Sequence, residues 1–141
     1  MSLSMALPDW QGPVDFEMRL KSDHNQTVRY DCPLDRGKFS FYVPKLLLQS
    51  AVGDEASEYL HVTVEKSSQP AREMGFTGRP MALQTGPDFW EYRYSKENAN
   101  SIRYITRVEG KPYSVYLPME VLAGRGYPQR IVVRVNPWES E

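Results

Sequence analysis

Two histidines, one cysteine and a scatter of carboxylates are the groups with which this chain could do acid–base, nucleophilic or metal chemistry. Their spacing supports none of the three. His24 lies in a polar stretch and His61 on the polar side of an alternating run, and no CxxC, HExxH or EF-hand loop joins either to Cys32. A zinc or calcium site therefore has no framework. Asp54 and Glu55 read as a solvated acidic turn. Cys32 precedes Pro33 and shares its alternation with Val28 and Tyr30, the signature of a buried small hydrophobe rather than a thiolate nucleophile. Glu17 and Glu91 each stand two residues before an arginine, Arg19 and Arg93, on one strand face, so cross-strand ion pairing accounts for them better than general acid–base work. The glycines of residues 75–80 (GFTGRP) and 124–126 (GRG) do not follow the strand-then-helix layout that aims N–H groups at phosphate. The chain is expected to be non-enzymatic, with no metal and no cofactor.

What the residue types do offer is a polar stripe written twice: Arg19 and Arg93, Arg29 and Arg103, Ser40 and Ser114, Tyr42 and Tyr116. Guanidinium groups beside phenol rings suit a polyanion, by pairing with phosphate and stacking on bases. The same set also reads as surface pairs, with Glu17 and Glu91 neutralising the arginines. The candidate binding residues are Arg19, Arg29, Tyr42, Arg93, Arg103, Arg107, Lys111 and Tyr116. Trp10, Trp90 and Trp138 have core packing as their first role and a protein-binding patch as their second.

The stripe is double because the chain is. Residues 5–16 (MALPDWQGPVDF) answer to 81–89 (MALQTGPDF), EMRL at 17–20 to EYRY at 91–94, and TVRY at 27–30 to SIRY at 101–104. GKFSFYVPKLLL at 37–48 answers to GKPYSVYLPMEVL at 110–122, and EYLHVTVEK at 58–66 to QRIVVRV at 129–135. Blocks in register point to internal duplication. Each alternates with period two: Phe16, Met18 and Leu20 point one way, then Val28, Tyr30 and Cys32, then Phe39, Phe41 and Val43, then Leu60, Val62 and Val64. The second copy repeats this with Trp90, Tyr92 and Tyr94, Ile102 and Tyr104, Tyr113, Val115 and Leu117, and Ile131, Val133 and Val135.

Four strands per copy follow, with turns at residues 22–26, 33–37, 95–100 and 109–110 and one short helical turn after each proline, at 45–50 and 119–122. The fold class is all-β, mainly antiparallel, internally duplicated and packed as one pseudo-two-fold barrel or sandwich. Repeat 1 covers residues 5–66, a Gly- and Pro-containing connection 67–80, and repeat 2 residues 81–137. The two repeats form one structural domain, because four strands alone make a marginal core; two separate beads are the alternative.

At 141 residues and net charge −1 the chain has no global drive toward nucleic acid or an acidic membrane. Charge is uneven: up to Gln69 it carries 7 basic and 10 acidic side chains, and beyond it 10 basic and 8 acidic. No apolar run approaches the roughly 20 residues of a membrane span, no secretory leader opens the chain, and one cysteine forms no internal disulfide. A cytoplasmic setting is the expectation.

The run GKFSFYVPKLLL followed by LHVTVEK, and GKPYSVYLPMEVL followed by IVVRV, resemble the swapped-hairpin AbrB-like pattern of a Gly-led strand, a proline turn, a short helix and a closing strand. That resemblance implies a small DNA-binding regulator. The TVRY and Tyr-Val-Pro-Lys strands together also resemble small bacterial and phage-associated β domains without an assigned activity, which would make this chain a fused, pseudo-dimeric pair. The primary expectation is a binding or scaffolding module for a macromolecular partner, protein or nucleic acid, with no membrane contact. The alternative is a nucleic-acid-binding regulator using the Arg-rich second repeat, with Arg125, Arg130 and Arg134 as further phosphate contacts.

Overall fold

Period-two alternation of apolar side chains becomes eight strands in the computed structural model, which describes residues 13–53, 57–67, 83–122 and 128–137. In chain order they are β1 Val14–Asp23, β2 Thr27–Pro33, β3 Lys38–Pro44, β4 Tyr59–Lys66, β5 Phe89–Glu97, β6 Ser101–Val108, β7 Lys111–Pro118 and β8 Arg130–Pro137. Short helices α1 (Lys45–Ala51) and α2 (Met119–Leu122) follow the prolines that end β3 and β7. The expected inter-repeat connection, beyond Ser67, lies outside the described residues, as do Trp10, Asp54, Glu55, Arg125 and Trp138.

All strands join one antiparallel sheet in the order β3-β2-β1-β4-β8-β5-β6-β7. The sheet curls until its two edges, β3 and β7, lie against each other, giving a nearly closed barrel. The expected all-β, pseudo-two-fold architecture is what forms. At its centre β4 meets β8 with Val62 opposite Val135, Thr63 opposite Arg134 and Val64 opposite Val133. Adding 71 to each β4 number turns the first of these pairs into the last, so the pseudo-two-fold axis passes through Thr63 and Arg134.

The halves are held by matching bonds. The hydroxyl of Tyr30 donates to the Ser57 carbonyl at 2.5 Å and that of Tyr104 to the Pro128 carbonyl at 2.8 Å. The Lys45 N–H meets the Gln26 carbonyl at 3.0 Å, and the Met119 N–H meets that of Asn100 at 2.8 Å. Inside, Phe16 meets Phe39 edge-on at 4.8 Å, and their counterparts Trp90 and Tyr113 meet edge-on at 5.1 Å. The two-residue β6–β7 turn places Glu109 and Gly110 at φ 52° and 80°, the left-handed pair whose twist matches a hairpin.

Two expectations fail locally. Leu20 does not join Phe16 and Met18 in the core: it is 37% exposed, because it stands one residue past the last β1–β4 pair, Arg19 with Tyr59, at the rim of the barrel. Nor does Glu91 sit on the polar surface beside Arg93. Residues 83–88 fold back over β5, with the Glu91 N–H donating to the Gln84 carbonyl and Thr85 bridging Trp90, and bury the carboxylate to 1% exposure. It accepts from the Gln84 N–H at 2.9 Å and from the Ser67 hydroxyl, and lies 3.6 Å from the Arg130 guanidinium. At position 86 a Cβ would stand 2.1 Å from the Phe89 ring, so any residue larger than glycine there requires that ring to move.

The second half also has a polar interior where the first is apolar. Tyr92 and Thr106 take the places of Met18 and Cys32, and the Tyr92 hydroxyl and Thr106 Oγ1 are buried without a hydrogen-bond partner. Burial, with Tyr113 nearby, pushes the Tyr92 phenol well above its ordinary value, and burial pushes that of Tyr30 up to about 12. Thr106→Val keeps the shape and removes an orphaned hydroxyl, so chemical denaturation should show stability unchanged or raised by up to about 1 kcal/mol. A loss larger than that would show that the hydroxyl is bonded in solution.

Candidate functional site

Closing a barrel on two edge strands sets their outward side chains face to face. On β3 these are Lys38, Ser40 and Tyr42, and on β7 Pro112, Ser114 and Tyr116, while Phe39, Phe41, Val43, Tyr113, Val115 and Leu117 point inward and are buried. Among the described residues no backbone hydrogen bond crosses from β3 to β7. The seam is an open cleft of about 640 Å³, floored by Tyr113 and rimmed by Thr27 and Ser101, which are equivalent positions in the two halves. Tyr42 and Tyr116 stand in it 42% and 46% exposed, a high degree for phenol rings.

The surroundings of the two tyrosines differ. The Arg29 guanidinium lies 5.9 Å from the centre of the Tyr42 ring and donates to both carboxylate oxygens of Asp31, at 3.0 and 3.2 Å, and to the Ser40 hydroxyl at 3.3 Å. Lys38 approaches the same carboxylate at 3.8 Å. Burial raises the Asp31 carboxyl, but hydrogen bonds from Ser40 and Arg29 and the charges of Arg29 and Lys38 outweigh it and hold the group below the usual carboxylate range. Across the seam Arg103 donates to the Ser114 hydroxyl at 3.2 Å in the same way, but Ile105 stands where Asp31 would be, and Arg103 meets no carboxylate among the described residues.

One end of the seam is clipped. The Arg36 N–H donates to the Glu120 carboxylate at 3.1 and 3.2 Å, tying the β2–β3 turn to α2 beside a groove of about 830 Å³ that shares Lys38, Asn100 and Pro118 with the cleft. At the other end the counterpart of Glu120 is Leu46, which is 40% exposed.

Of the residues marked in the sequence, Tyr42 and Tyr116 line the cleft, with Arg29 and Arg103 on the neighbouring strands. Arg107 donates to the Gly110 carbonyl at 2.8 Å, close to Lys111, at the β6–β7 turn. Arg93 is exposed on β5. Arg19 lies on β1, away from the seam, 3.5 Å from Glu58 and 5.8 Å from the centre of the Tyr59 ring. Arg130 and Arg134 are bound to Glu91 and Asp88. Thr27, Asn100, Ser101, Pro112 and Pro118 line the cleft without having been marked, because only the meeting of the two sheet edges brings them in.

No described helix is long and apolar enough to cross a membrane. Among the described residues no group of three or more His, Cys, Asp or Glu gathers as metal ligands would. No protein-family model matches the chain, and no curated protein matches it. Among solved structures, the cytoplasmic molybdate-binding protein ModG, with molybdate bound, aligns over 87% of this chain and 89% of its own, at 11% identity and a TM-score of 0.27. So low a score carries no argument about what this chain binds.

Proposed function

We propose that the protein is a non-enzymatic binding module that holds a macromolecular partner along the β3/β7 seam. The observation that carries this reading is the cleft between two edge strands that share no ladder, with Tyr42 and Tyr116 exposed in it from equivalent positions. Exposed rings at a cleft present apolar area with little conformational entropy to lose, which favours their use as anchors for a partner. The hydroxyls of Ser40, Ser114, Thr27 and Ser101 supply polar contacts around them.

Calorimetric titration with a defined set of probes, comprising nucleoside monophosphates and short acidic and basic peptides, tests it. Each exposed ring contributes about 1 to 3 kcal/mol if it stacks on the bound group. The double variant Tyr42→Ala/Tyr116→Ala should therefore weaken any probe that binds by at least about tenfold while keeping the fold, since surface substitutions of this kind change stability by about 0.5 kcal/mol. A probe bound equally well by the double variant would place the binding face elsewhere and overturn the proposal.

A further inference from the structure

The two halves present nearly the same outer face to the seam, but not the same charge. In the first half, ladder partners Ser22, Arg29 and Tyr42 form one row across β1, β2 and β3, and Arg19, Asp31 and Ser40 form the next. In the second half the corresponding rows are Lys96, Arg103 and Tyr116, then Arg93, Ile105 and Ser114. Two differences, Ser22 against Lys96 and Asp31 against Ile105, raise these rows from one net positive charge to three. Pairing sharpens the contrast. On β1–β3, Arg19, Arg29 and Lys38 each meet a carboxylate, leaving Lys21 at the bulge. On β5–β7, Arg93, Lys96, Arg103 and Arg107 meet none among the described residues, and Glu97 and Glu109 sit at the hairpin tips.

Glu91, the counterpart of exposed Glu17, is turned inward under residues 83–88, so the second half lacks that surface acid too. Adjacent strands lie about 4.8 Å apart, so the row from Lys96 through Arg103 to Tyr116 spans about 10 Å and ends in the cleft. Cations thus lead to an exposed aromatic ring, with a second ring, Tyr42, on the far side of the seam.

We propose that the outer face of β5, β6 and β7, running into the seam, is a platform for single-stranded nucleic acid, with phosphates on Arg93, Lys96 and Arg103 and bases on Tyr116 and Tyr42. The proposal rests on the seam as the binding face and names its partner. Rings beside guanidinium groups on an open strand surface are the arrangement that accepts unstacked bases. Duplex would need an element to enter its grooves, and the longer described helix, α1, has only seven residues, two of them buried leucines, with its Lys45 paired to Asp23. An acidic protein segment would satisfy the cations but would make less use of two exposed tyrosines.

The test is fluorescence anisotropy of the full chain with a labelled mixed-sequence single strand of about 20 nucleotides, the same sequence as duplex, and polyglutamate of matched charge. The single strand should bind best, with log affinity falling against log salt at a slope of about −2 to −3.5, as three to five released counterions require. Arg93→Glu with Lys96→Glu, both exposed, should weaken it by about tenfold or more, and Arg19→Glu, in the first half, by less than about twofold. Tyr116→Ala should lower affinity without changing the slope. No binding at low salt, preference for duplex, or polyglutamate bound as tightly with Tyr116→Ala silent would each overturn the assignment. If the oligonucleotide fails while small probes still depend on Tyr42 and Tyr116, the partner class is wrong and the seam stands.

Discussion

Replacing Glu91 with glutamine should lower stability by about 3 kcal/mol, and Tm by roughly 6 to 12 °C for a chain of this size. Glu91 is a carboxylate at 1% exposure that gathers the Ser67 hydroxyl, the Gln84 N–H and the Arg130 guanidinium, so it joins the end of β4, the residues before β5, and β8 at one point. An amide presents a donor where one of these donors needs an acceptor and withdraws the negative charge that faces the largely buried guanidinium. The equivalent change at Glu17, whose carboxylate is exposed on β1, should cost no more than about 0.5 kcal/mol. Equal effects at both positions, measured by denaturant or thermal unfolding, would contradict the burial of Glu91.

The second large effect concerns the halves themselves. Residues 81–141 expressed alone should show no cooperative unfolding as a monomer. Such a fragment leaves the β8 edge without β4 and opens Tyr92, Ile102, Val115, Ile131, Val133 and Val135, all buried at 1% exposure or less, to water on the side where the other half closes the barrel. Burial of a single side chain of this kind contributes about 1.5 to 3 kcal/mol, so their joint exposure exceeds any margin a small β domain holds. The pseudo-two-fold axis allows one rescue: β8 of one fragment can pair with β8 of another as it pairs with β4 here, giving a folded dimer whose transition depends on concentration. Sedimentation with circular dichroism separates the cases, and a cooperatively folded monomer would sink the single-barrel account.

Much of the fold was legible because period two is a local signal. Phe39, Phe41 and Val43 face inward on β3 as the alternation requires, and the prolines at 44 and 118 do introduce α1 and α2. The rim was not legible: Leu20 continues the apolar alternation perfectly, and only the start of β4 at Tyr59, opposite Arg19, leaves it beyond the covered part of β1. The neutralising partner of Arg29 was visible two residues away on the same strand face, at Asp31, whereas the resemblance between Glu17 and Glu91 in the two copies drew attention to the wrong acids. Glu91 itself is buried by Gln84, Ser67 and Arg130, which approach from three separate places in the chain. The cleft is a product of barrel closure, which no alternation pattern contains; Tyr42 and Tyr116 could be marked as exposed, but not as neighbours across a seam.

Whether the β3/β7 seam is the binding face can be read from backbone amide shift mapping by two-dimensional NMR during titration with a bound probe, either single-stranded oligonucleotide or nucleotide. The perturbed amides should concentrate on residues 38–42, 100–103 and 112–118, flanking the seam, extending to 93–96 when the probe is the oligonucleotide, and Tyr42→Ala/Tyr116→Ala should sharply reduce them at the same probe concentration. Perturbations centred instead on the β1/β4/β8 side of the barrel, around Glu17, His61 and Thr63, would contradict it.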